Sequence, residues 1–239
     1  MAIAVVLVAL AGALPAADDK SPGQIEVHVG GLQAASCDRF EARHEAQKII
    51  DLLVSARIED PTGSARLPLP SELAASLKVP AARIASCKDH VAQALVAALQ
   101  GEFGSAKELL SRKPEGTGWC GNALAAEMFG SAEALASIAF LRGTYADVAA
   151  FQLPEIPSRS LESVDVHSSR WALAYAMRAT ANEQLGRRAD AVRDSCVAAE
   201  QAQEFDESWG YYYSSDPVIW QAITHSVEQL RKRLGGACT

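Results

Sequence analysis

Three short stretches of this chain repeat one pattern: LQGEFGSA (residues 99–106), LRGTYADV (141–148) and QLGRRADA (184–191). In each, an alanine stands seven residues before the glycine (Ala94, Ala136, Ala179). A small or β-branched residue stands five after it (Ala106, Val148, Ala191). The glycines, Gly101, Gly143 and Gly186, are 42 and 43 residues apart. Glycine ends a helix in a left-handed conformation without a Cβ clash, and small side chains let a second helix approach closely. Recurrence at a period of about 20–50 residues marks supersecondary units that bury their apolar faces on one another. The chain is therefore expected to be all-α, built of antiparallel helical hairpins stacked as a short solenoid.

The best-formed copy spans residues 171–203. Trp171, Tyr175 and Leu185 share one side of its first helix, and Ala172, Ala174, Ala176, Ala179 and Ala181 fill much of the rest. The second helix should turn Ala191, Val192, Cys196, Val197 and Ala198 inward and leave Arg187, Arg188, Arg193 and Asp194 in water. Upstream, residues 21–31 alternate Ile25, Val27 and Val29 with Glu26 and His28, which predicts an extended arm over residues 18–36. Phe40, Ala46, Ile49, Ile50, Leu53 and Val54 then make a helical stripe. A helix is expected from Pro80 to Gln100. Asp216, Pro217, Arg231-Lys232-Arg233 and Gly235 delimit a capping helix over residues 216–234.

The first residues, MAIAVVLVALAGALPAADD, combine an apolar run too short for a bilayer with small residues after it. They predict a signal peptide over residues 1–17, no stable membrane insertion, and a periplasmic or secreted protein. Residues 37–239 then form one helical-repeat domain. A net charge of −7 argues against nucleic acid as partner, because phosphate binding needs a basic face. Of five cysteines, Cys37 with Cys87 and Cys196 with Cys238 are the preferred disulfides, leaving Cys120 odd; a fully reduced protein is the alternative.

The elbow pattern resembles that of the tetratricopeptide repeat family over residues 83–203. The shared features are the small residue in the first helix, the glycine, an aromatic two positions on (Phe103, Tyr145; Arg188 in the third copy) and the small residue in the second helix. The family period is about 34 residues, so each unit here carries a longer connection. A second frame, FGSAKELL at Phe103 and FGSAEALA at Phe129, competes with it. The resemblance implies a concave groove lined by Leu95, Leu99, Phe140, Leu141, Leu173, Met177 and Thr180, suited to an amphipathic helix of a partner. Alternatively, the chain's own N-terminal helices cover these residues and make them core.

The five histidines are scattered, and His44-Glu45 lacks the second histidine of a zinc-protease helix because Lys48 stands there. Cys87 and His90 lie one turn apart, a spacing too common to signal a nucleophile pair. No cofactor, metal site or catalytic residue is expected, and the chain reads as non-enzymatic. The leading expectation is an adaptor or assembly factor that binds another protein or peptide. The second is an inhibitor or immunity-type protein that blocks a toxin or hydrolase through the aromatic cluster Trp209, Tyr211, Tyr212 and Tyr213. That cluster could equally plug the end of the stack.

Overall fold

The computed structural model describes residues 21–36, 41–87, 89–111, 121–153, 168–208, 217–235 and 238. These hold helices α1 (Ser21–Ala34), α2 (Glu41–Glu59), α3 (Ser71–Ser76), α4 (Lys78–Ile84), α5 (His90–Gln100) and α6 (Phe103–Ser111). The chain continues through α7 (Gly121–Leu141), α8 (Tyr145–Ala149), α9 (Ser168–Gln184), α10 (Arg188–Ser208) and α11 (Pro217–Leu234). No strand occurs among the described residues.

The three glycine elbows have one geometry. Gly101, Gly143 and Gly186 have φ of 89°, 77° and 74°. Each glycine N–H donates to the carbonyl three residues back, at 3.0 Å to Ala98, 2.9 Å to Phe140 and 3.0 Å to Glu183. The next N–H donates to the carbonyl five back, from Glu102 to Ala97, Thr144 to Ala139 and Arg187 to Asn182, at 2.8, 2.9 and 2.8 Å. This paired arrangement satisfies carbonyls that the helix end leaves without partners. The alanines seven before each glycine, and Ala106, Val148 and Ala191 five after, are all buried. The elbows join α5 to α6, α7 to α8 and α9 to α10. Phe103 opens α6 whereas Phe129 lies inside α7, so the competing FGSA frame has no common structure.

Helix α2 is the centre of the molecule. It packs on α5, α7 and α9, the first helices of the three hairpins, and also on α1 and α11. From Ile49 to Ile58 every residue except Ala56 is buried, including Asp51, Ser55 and Arg57. A helix buried on all sides needs neighbours all round, and α2 has them. Helix α9 is enclosed in the same way by α2, α7, α8, α10 and α11, its buried alanines allowing the close approach.

After α2 the chain passes the three elbows in turn. At its end, the Glu59 carbonyl accepts from Arg233 Nη1 (3.1 Å), and the same guanidinium holds Glu183 at the third elbow (3.0 Å). Arg57 donates to Tyr145 Oη (2.9 Å) and to the Gly63 carbonyl (3.0 Å), while Tyr145 Oη donates to the Pro61 carbonyl (3.1 Å). These bonds fix the second elbow. Leu69 N–H then donates to the Leu99 carbonyl (3.1 Å) beside the first elbow, where Pro68 faces Gly101.

Two expectations about local structure are corrected. Residues 21–34, expected as an extended arm, form α1. Its buried positions are His28, Val29 and Leu32, with Ala35 just beyond its end, a helical spacing that the apolar alternation at 25, 27 and 29 obscured. Val27 points outward. Arg83 closes the helix by donating to the Leu32 and Gln33 carbonyls at 2.8 and 3.0 Å. The helix expected from Pro80 to Gln100 is broken in two. Asp89 accepts from Val91 and Ala92 N–H (3.0 and 3.1 Å) and starts α5, and Gln93 holds the Cys87 carbonyl at 2.6 Å.

Candidate functional site

The residues expected to line an open groove are core. Leu95, Leu99, Phe140, Leu141, Leu173 and Met177 are 0–1% exposed, and Thr180 bonds back to the Ala176 carbonyl. The helices that carry them are faced by α2, so in this structure no partner reaches them. Trp209, Tyr211, Tyr212 and Tyr213 lie outside the described residues, as do Cys37, Cys120, Asp216 and the segment read as a signal peptide. Cys196 and Cys238 are within disulfide-bonding distance, with Cα atoms 5.5 Å apart, as expected. Cys87 is likewise disulfide-bonded. Leu185, expected to share one side of the first helix with Trp171 and Tyr175, lies just past the end of α9 and is exposed at the elbow.

Asp194 is the largest departure within the best-formed hairpin. Expected in water, it is 1% exposed and held by a two-pronged bond from Arg178, Nε and Nη2 each 2.8 Å from a carboxylate oxygen. Asn182 adds a third donor at 3.2 Å, and Arg178 also reaches the Phe151 carbonyl. Burial works against the Arg178 charge, yet the bond and proximity to Asp194 prevail and raise its pKa above the ordinary arginine value. This clamp ties α9 to α10 and thereby fixes the third elbow. Arg178 sits one turn before Asn182 on the inner side of its helix; that spacing to an acid on the following helix was the available signal.

Around the clamped elbow the chain gathers positive charge. Arg187, Arg188 and Arg193 come from the start of α10, and Arg231, Lys232 and Arg233 from the last turn of α11. Contacts join the two helices and the elbow: Arg188 donates to the Leu234 carbonyl, Arg231 reaches Ser195 and Cys196, and Arg233 bonds Glu183. Arg193 pairs with Asp190 at 2.9 Å. The side chains of Arg187 and Lys232 are exposed and bond to nothing among the described residues. The acids that meet these cations include Glu183, Asp190 and Asp194, the last 3.9 Å from Arg193 Nε, and the Glu59 carbonyl also accepts from Arg233. Burial raises the Glu59 pKa above the ordinary carboxylate value.

Cations at the last turn of α11 suit its dipole, but those at the start of α10 oppose theirs. Arg188 is accounted for by its carbonyl contact. Arg187 has no such role in stability, and beside it Leu185 offers one exposed apolar side chain. The arrangement is a cationic surface with an apolar point, on a protein whose net charge is −7. It can attract and orient an anionic group.

No family model, no curated protein and no solved structure matches the chain. Among the described residues, no helix is long and apolar enough to cross a membrane.

Proposed function

We propose that this protein is an exported, non-enzymatic protein-binding module, an adaptor or assembly factor, that engages an acidic segment of its partner at the cationic end formed by α10 and α11. The observation that carries this reading is Arg187, exposed two residues after the exposed Leu185, together with Lys232, exposed in the last turn of α11; among the described residues neither side chain is spent on an internal bond. Rim charges of this kind chiefly set the rate of encounter and the choice of partner. The common elbow geometry supports reading the three hairpins as a short tetratricopeptide-like stack whose inner side is filled by α2. The disulfide pair Cys196–Cys238 is compatible with an oxidising compartment, which supports export.

The test uses a glutamate-rich peptide containing leucine, the full-length protein, and the double charge reversal R187E/K232E. K232E removes a cation that suits the α11 dipole and R187E removes one that opposes the α10 dipole, each worth about 0.3–1 kcal/mol, so the two changes offset and the Tm should stay close to that of the wild type. Wild type should bind the peptide with an affinity that falls steeply with salt, and the variant should lose at least about tenfold, roughly 1.4 kcal/mol. Equal binding by the two proteins at equal Tm would remove this surface from the account.

A further inference from the structure

We propose that Cys196–Cys238 is a thiol–disulfide exchange site, opened by an external dithiol that attacks Cys238. The two sulfurs have unlike surroundings. Cys238 lies in the tail beyond α11 and is exposed, whereas Cys196, in the body of α10, is half-buried. Arg231 on the facing helix directs Nη1 at the Cys196 sulfur from 3.3 Å. The same nitrogen donates to Ser195 Oγ at 3.1 Å, and that hydroxyl is turned by its own bond to the Val192 carbonyl at 2.7 Å. The guanidinium is thus positioned on one sulfur of the pair.

A disulfide sulfur is a weak acceptor, while a thiolate is a charged one, and arginine does not give up its proton. Arg231 therefore stabilises Cys196 far more as a thiolate than as half of a disulfide. A cation at this range favours the charged form of an acidic group. In exchange reactions the thiol of lower pKa leaves faster. The geometry thus fixes which sulfur is attacked and which departs.

The steps balance without any further reagent. One thiolate of the dithiol attacks Cys238 Sγ; the Cys196–Cys238 bond breaks, and its electron pair leaves on Cys196 as a thiolate held by Arg231. A mixed disulfide now joins Cys238 to the attacker. The attacker's second thiol loses its proton to solvent and displaces Cys238, which takes up a proton. The dithiol is oxidised to a cyclic disulfide, the protein pair is reduced, and the tail beyond Leu234 is released from α10. Arg231 acts as a positioning residue and forms no bond to the reagent.

Two measurements on the full-length oxidised protein test this. Brief exposure to the monothiol glutathione, acid quenching and peptide mapping should place the adduct on Cys238; an adduct on Cys196 overturns the proposal. Equilibration with the dithiothreitol redox couple should show R231M about tenfold harder to reduce than wild type, equivalent to about 30 mV for this two-electron couple. R231K should recover most of the difference, since it restores the cation. A folded R231M with an unchanged constant also overturns the proposal. If R231M does not fold, the site of the glutathione adduct in the wild type decides alone.

Discussion

Asp194 shows how a single position can invert its expected role. By helical spacing it belongs with the wet face of α10, yet it is buried against Arg178 and Asn182. Removing one partner of a buried pair leaves an uncompensated charge, at a cost of about 3–5 kcal/mol. D194A should therefore lower stability by that order in urea unfolding, and R178M/D194A should recover a large part. Equal stability of the single and double variants would contradict the clamp. Glu45 and Glu59 give opposite pH signatures. Burial alone would raise the Glu45 pKa, but hydrogen bonds from Lys48 and His28 outweigh it and hold it below 4.5. Its stabilisation is present above 4.5 and is lost as pH falls through the lower, folded value. Burial raises Glu59 above 4.5, so its contribution is present below 4.5 and is lost as pH rises through the raised value. Near neutral pH, E45Q should lower Tm and E59Q should raise it; well below 4.5 both differences should fade.

At the scale of elements, the elbows were readable because their chemistry is local. Glycine at a helix end and small residues at fixed offsets dictate the turn without reference to distant chain, and all three copies fold alike. Their environments differ, which gives a graded prediction. A Cβ at Gly186 meets open space, so G186A should cost only the left-handed backbone term of about 1–2 kcal/mol. A Cβ at Gly101 meets Pro68 at 3.1 and 3.3 Å, so G101A should cost more in chemical denaturation. An equal cost at the two sites would mean the connector does not press on the first elbow. Helix α1 was hidden for the opposite reason. Two central glycines and its β-branched residues disfavour helix locally, and what decides is the tertiary environment. His28 bonds Glu45 at 2.8 Å, Leu32 is fully buried, and Arg83 takes the terminal carbonyls. None of these partners is near in sequence, so the local pattern pointed the wrong way. The cap at Asp89 was hidden in the same way, since a capping role depends on where the next helix begins.

In the whole molecule, the decisive fact is what faces the inner side of the hairpins. The pattern of small and apolar residues on α5, α7 and α9 is the same whether that side takes up a partner or the chain's own helix. Sequence spacing specifies the face and not its occupant. The structure supplies the occupant: α2, buried almost continuously from Ile49 to Ile58, tied at its end to the second elbow through Arg57 and to the third through Arg233. Such a helix is an integral part of the core, and it shifts attention from the groove to the cationic end. Native-state hydrogen exchange of the full-length protein tests this directly. If α2 seals the hairpins, the amides of Leu53 to Ile58 should rank with those of α9 among the slowest, exchanging only through global unfolding. Rapid exchange throughout that half of α2, with α9 still protected, would mean that α2 opens readily and that Leu95, Leu99, Phe140 and Met177 line an accessible groove after all.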